Sequence, residues 1–150
     1  MKTKLRLGII GAGAVVREIY QYLYFRSQYS PILDVVAVAD PNDGAVDDVA
    51  ARYHIPQKFK DYHELLAQKD IEGVVIASPT GTHAEVVTAA AQAGKQIFCE
   101  KPLSQDLAAC DDAIAAVKKA GVKLQMGFMR RFDPPYAAAK QKIMDGVIGM

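Results

Sequence analysis

The sequence predicts an α/β fold, a doubly wound parallel sheet with helices on both faces. Three observations carry this prediction. Short apolar runs alternate with longer helical patterns along the whole chain, a rhythm that calls for right-handed crossovers between parallel strands. The short runs are rich in Val and Ile and barely alternate with polar residues, as strands covered on both faces do. The chain has 150 residues, enough for one domain with a substantial core.

Strands are predicted at Leu5–Ile10, Val35–Ala39, Val74–Ala77, Gln96–Cys99 and Lys123–Met126. The first leads through Gly11-Ala12-Gly13 into a helix. A later helix opens on Thr82-His83-Ala84-Glu85, the spacing in which a threonine caps a backbone N–H and a glutamate reaches back. It runs through Ala93 and stops at Gly94, a residue suited to a left-handed cap. Another helix, about Asp106 to Ala120, has acids early, Lys118 and Lys119 late, and Gly121 beyond. That charge order suits the helix dipole. The tail "FDPPYAAAKQKIMDGVIGM" adds one more helical stretch, then Gly146 and Gly149.

Composition narrows the functional classes. Apolar residues make up 51% of the chain and the net charge is +1, which points away from nucleic acid, membrane surfaces and disorder. No apolar run approaches the roughly 18 residues that span a bilayer. Met1-Lys2-Thr3-Lys4-Leu5 runs into a strand pattern without the apolar core of a signal peptide. Cys99 and Cys110 lack the spacing of a disulfide framework or a metal site. They read as buried thiols in a reducing cytoplasm.

The glycine loop is the first chemical motif. Gly11 can take a turn conformation that a side chain would oppose, and Gly13 lets the backbone approach a pyrophosphate. The helix that follows offers N–H groups and a partial positive charge. Gly11, Ala12, Gly13, Val15 and Val16 are therefore candidate cofactor-binding residues. The fingerprint wants Gly or Ala at its sixth position. Val16 stands there and should hold the helix slightly further from the strand.

Asp40 ends the second strand, where a carboxylate accepts from both ribose hydroxyls of an adenine nucleotide and repels a 2′-phosphate. No Arg or Lys follows it closely and Asp43 adds negative charge, so the expected cofactor is NAD in preference to NADP. Asp40 lies further downstream than the typical spacing of about 20 residues. The first helix or its loop, around Tyr24–Ile32, is therefore longer than usual.

Two more strand ends face the same edge of the sheet. "IASPTGTHAE" places the turn Ser78-Pro79-Thr80 there, and His83 opens the next helix beside the expected cofactor; His54 and His63 read as structural. "IFCEKPLS" ends the following strand with Glu100-Lys101-Pro102. Pro102 restricts its own backbone and that of Lys101, consistent with a turn or with a lysine held for chemistry.

In this order the motifs resemble the Gfo/Idh/MocA oxidoreductases, the family of glucose-fructose oxidoreductase and inositol 2-dehydrogenase. The likeness runs through "GIIGAGAVV", "VAVADP", "SPTGTHAEVVTAAAQAGKQIFCEKPLS" and "MGFMRRFDP" to "DGVIG". The glycine loop is common to many families. The strand-end Pro-Thr with its following His, then Ala-Gly-Lys-x-x-x-x-Glu-Lys-Pro, is far more specific.

The resemblance implies that residues 1–130 form an NAD(P)-binding Rossmann domain. Glu100 would bond the nicotinamide ribose. Lys101 would be the catalytic residue, orienting the substrate hydroxyl and sharing its proton. Pro102 would fix the backbone beneath it through a cis Lys101–Pro102 bond. Gly127 and Arg131 match the family's strand-end glycine and Arg-Phe pair, with Arg131 packing the cofactor side of a domain junction. Residues 131–150 would lead toward a second domain, absent from this chain, that carries the substrate residues. The expected protein is thus the nucleotide-binding half of a cytoplasmic dehydrogenase acting on a sugar, inositol or related polyol. This half would bind cofactor with little or no turnover and have no metal, nucleic-acid or membrane partner. Two readings compete: a non-catalytic NAD(H)-responsive module, and another Rossmann-like enzyme such as a methyltransferase. Neither gives Glu100-Lys101-Pro102 a purpose.

Overall fold

The computed structural model describes residues 4–25 and 31–148. Gly149 and the middle of the stretch Tyr24–Ile32 lie outside the described residues. Six strands form one parallel sheet: β1 Leu5–Ile10, β2 Leu33–Ala39, β3 Gln57–Phe59, β4 Gly73–Ile76, β5 Gln96–Cys99 and β6 Leu124–Met126. Their order is β3-β2-β1-β4-β5-β6. A π-helix, Val15–Phe25, follows β1; then come α1 Asp43–Tyr53, α2 Tyr62–Leu66, α3 His83–Gln92, α4 Leu107–Ala120 and α5 Pro134–Met144.

Although the strands read as continuous apolar runs, their residues alternate between two cores. Leu7, Ile9, Val38 and Val75 pack with Val16 and Tyr20 of the π-helix and Val46 and Val49 of α1. Ile10, Ala39, Val74, Ile76 and Cys99 pack on the other face, with Leu65 of α2, Val86 and Val87 of α3, and Val117 of α4. Each fully buried Ile, Leu or Val contributes about 1.5–3 kcal/mol. The sheet is therefore held from both sides.

The expected strands are present, two of them with the expected ends. β3 was not predicted. It is a three-residue edge strand, Gln57-Lys58-Phe59, whose place comes from pairing with Ala37–Ala39 of β2. At α4, Asp106 caps the helix by accepting from Ala108 N at 2.9 Å, and Gly121 closes it at φ 69°. Gly94 likewise sits at φ 72° after α3.

The expected capping box at Thr82–Glu85 does not form. Thr82 continues the helical 3-10 turn Thr80–Thr82 into α3, and its side chain makes no cap bond. Its hydroxyl donates instead to Pro79 O at 2.8 Å, while Glu85 accepts from Tyr62 OH at 2.9 Å. Beyond β6, α5 buries none of its residues. No helix among the described residues is long and apolar enough to cross a membrane.

Candidate functional site

Gly11, Asp40, Glu100 and Gly127 each stand directly after a strand, because the ladder continues past the strand ends. Gly11 N donates to Ala39 O, Ala77 N to Ile10 O, Glu100 N to Ile76 O, and Gly127 N to Cys99 O, all at 2.8–2.9 Å. This row is the carboxyl edge of the sheet. β1 crosses over toward β2 while β4 crosses toward β5, so a crevice opens between their ends. That is where ligands bind in doubly wound folds.

Gly11 takes φ +101°, and a Cβ there would lie 2.6 Å from the backbone of Ala77 and Ser78. Only glycine fits. A Cβ on Gly13 would meet nothing within 4 Å, which leaves the open approach that a pyrophosphate needs. Asp40 acts on this loop directly: one oxygen accepts from Ala12 N at 2.8 Å and the other from Asn42 N at 2.9 Å. Val16, the departure from the fingerprint, is fully buried among Ile9, Tyr20 and Val38, and Val15 packs at the margin of the same core. The helix they open is wound as a π-helix.

The crevice holds about 340 Å³, bounded by Gly11, Asp40, Lys60, Tyr62, Ser78 and Pro79 among others. A larger hollow of about 550 Å³ lies on the sheet face bearing Leu7, Val75 and Phe98. Gly11, Asp40, Ser78 and Pro79 line the smaller one, while Glu100 and Lys101 stand further along the same edge, after β5. Lys60 and Tyr62 were missed in the sequence because β3 was missed. Lys60 lines the same crevice as Asp40, and its Nζ is paired with Asp43 at 2.8 Å.

The turn after β4 is braced internally. Ser78 Oγ and Thr82 Oγ1 are 2.8 Å apart, and Thr80 opens the 3-10 turn. His83 is only 2% exposed. Its Nδ1 lies 2.7 Å from Pro102 O and its Nε2 2.8 Å from Ser78 O. The ring therefore bridges the turn after β4 and the turn after β5, each nitrogen within hydrogen-bond distance of a carbonyl and its N–H donating to one of them. It reaches the site through the two turns it joins, where the sequence suggested a place beside the cofactor.

Glu100, Lys101 and Pro102 form the next turn, and the Lys101–Pro102 bond is cis, as expected. Tyr20 OH donates to Glu100 Oε1 at 2.7 Å, and Lys101 N donates to Oε2 at 3.3 Å. Gly127 leaves room for this carboxylate, since a Cβ there would lie 3.2 Å from Oε2. The Lys101 side chain is exposed, and its ammonium makes no hydrogen bond or ion pair among the described residues. Arg131 is also exposed, in the 3-10 turn Met129–Arg131. Burial pushes the Cys99 thiol up to about 12, helped by the Glu100 charge. Cys110, expected to be buried as well, is half-buried on α4.

Tyr20 is a further site residue that sequence reading overlooked. Its one signal was a helical spacing of four from Val16, which marks the buried face of the helix.

Comparison with known proteins supplies the family. Residues 5–128 match the Gfo/Idh/MocA model, described as an oxidoreductase family with an NAD-binding Rossmann fold. The chain is 40% identical over 149 residues to the scyllo-inositol 2-dehydrogenase (NAD(+)) of Bacillus subtilis, covering 99% of this chain and 43% of that protein. It is 38% identical over 146 residues to the inositol 2-dehydrogenase of Acidothermus cellulolyticus, covering 97% of this chain and 42% of that one. A crystal structure of scyllo-inositol dehydrogenase from Lactobacillus casei, with bound NAD(H) and scyllo-inositol, superposes with a TM-score of 0.88 at 29% identity. That match covers 98% of this chain and 43% of the solved one. The chain thus spans less than half the length of the relatives it matches.

Proposed function

Because the chain belongs to the Gfo/Idh/MocA oxidoreductase family, as its NAD-binding Rossmann domain, we propose that it is the cofactor-binding half of a polyol dehydrogenase. The reaction is hydride transfer between a carbinol carbon of an inositol, sugar or related polyol and nicotinamide. One observation supports this most: the glycine loop, Asp40 and Glu100-Lys101 line a single edge of the sheet.

The residues divide the work along that edge. Backbone N–H groups from Gly13 to Val16 hold the pyrophosphate, which Gly13 lets approach closely, while those of Gly11 and Ala12 are taken by Ala39 O and Asp40. Asp40, anchored by two backbone N–H groups, accepts from the adenine ribose hydroxyls with its remaining lone pairs. Ser78 and Pro79 wall the crevice, Thr80 opens the turn behind them, and His83 fixes that wall to Pro102. Glu100 accepts from the nicotinamide ribose. Bound NAD supplies the electrophilic ring that takes the hydride. Lys101, with its ammonium unengaged, orients the substrate hydroxyl and passes its proton on.

Selection of the substrate belongs to a second domain. Phe128, Met129, Phe132, Tyr136 and Met144 are all at least 49% exposed, an apolar surface of the kind a neighbouring domain covers. Arg131 sits at that junction. The working compartment is the cytoplasm, where Cys99 and Cys110 stay reduced.

Titration with NADH and NADPH, followed by fluorescence, tests the reading. NADH should bind at least roughly tenfold tighter than NADPH, about 1.4 kcal/mol. Preference for NADPH overturns the role of Asp40. Binding of neither overturns the function.

A further inference from the structure

Tyr20 stands 80 residues before Glu100 and meets it across the sheet. It sits on the π-helix that opens at the glycine loop, 2% exposed, in the core formed by Ile9, Val16 and Val38. A buried tyrosine ordinarily finds some partner for its hydroxyl. Here the partner is the carboxylate of the turn that carries Lys101, at 2.7 Å. Hydrogen bonds to a charged acceptor are roughly twice as strong as neutral ones.

The carboxylate is boxed on three sides by three separate elements. The π-helix supplies the Tyr20 hydroxyl to Oε1, the turn itself supplies Lys101 N to Oε2, and the segment after β6 supplies the bare backbone of Gly127. The phenol ring is wedged in the core, so the hydroxyl has little freedom to follow a moving carboxylate. The helix that holds the pyrophosphate end of the cofactor therefore also sets the direction of the group at its nicotinamide end.

We infer that Tyr20 is a positioning residue for cofactor binding: it aims the Glu100 carboxylate at the nicotinamide ribose and couples that end of the site to the glycine loop. This rests on the proposed role of Glu100. Removal of the hydroxyl costs affinity only for ligands that reach Glu100. Loss of a helix contact, by contrast, costs affinity for every nucleotide bound on the loop.

Calorimetric titration of the chain with NADH and with ADP separates the two, because ADP lacks the nicotinamide ribose. Tyr20→Phe should raise the Kd for NADH roughly five- to tenfold, the worth of one ordinary hydrogen bond, and leave that for ADP within about twofold. In a Glu100→Ala background, Tyr20→Phe should change neither. Equal weakening of NADH and ADP, or an undiminished effect in the Glu100→Ala background, makes Tyr20 a core residue and overturns the inference. An unchanged NADH affinity in Tyr20→Phe overturns it while the function stands. Wild-type chain that binds no NADH overturns both.

Discussion

The crevice between β1 and β4 and the stretch beyond β6 are built on opposite principles. In the crevice nearly every polar group is already held: Asp40 by Ala12 and Asn42, Ser78 by Thr82, and His83 by two carbonyls. Beyond β6, α5 buries nothing, and Phe132 and Met144 are 75% and 73% exposed. The seat for the cofactor is self-supporting, with its geometry set before any ligand arrives. The stretch beyond β6 packs into neither core. Lys101 stands on the border, on a turn fixed by Glu100 and His83 but with its own side chain unheld.

Gly11 is where the braced region should yield first. Gly11→Ala places a Cβ 2.6 Å from the backbone of Ala77 and Ser78 at φ +101°. It should cost about 3 kcal/mol in urea unfolding and abolish NADH binding. A loss under about 0.5 kcal/mol would mean that the two strand ends are not rigidly spaced. Asp40→Ala removes the acceptor of two backbone N–H groups and should cost about 1–3 kcal/mol, with weaker NADH binding by fluorescence. Full stability with weakened binding would assign Asp40 to the ligand alone. The smallest effect is expected at the border. Lys101→Met should move unfolding by less than about 0.5 kcal/mol and leave NADH binding within about twofold. A larger loss of stability would place Lys101 in the braced region after all.

What was legible in the sequence follows the same division. β1 and β5 could be bounded to the residue because each closes on a largely buried apolar run that Gly11 or Glu100 ends, although both open on exposed positions, Leu5 and Gln96. The glycine loop, Asp40 and Glu100-Lys101-Pro102 were legible because each lies just past a strand and carries a residue type with few other reasons to be there. β3 was not, since Gln57-Lys58-Phe59 has no pattern of its own and exists by pairing with β2. Thr82 and Glu85 were misread because the spacing of a capping box says nothing about Tyr62, 23 residues from Glu85, which claims the glutamate. His83 to Pro102 and Tyr20 to Glu100 are contacts over 19 and 80 residues. Local pattern can name such side chains as buried but cannot name what they touch.

The row of ladder bonds along the carboxyl edge has a consequence for how this chain can change in length. Gly11, Asp40, Ala77, Glu100 and Gly127 each donate a backbone N–H to the neighbouring strand immediately after their own strand ends. One residue inserted or deleted within a strand, ahead of any of them, moves that group by about 3.3 Å and turns its side chain to the other face. Ladder bonds run at the opposite edge too, such as Ile97 N to Lys123 O at 2.8 Å, but no candidate site residue stands on the loops there. Length variation should therefore collect at one end of the sheet and be purged from the other, so that the spacing between strand and motif survives where the residues between motifs do not.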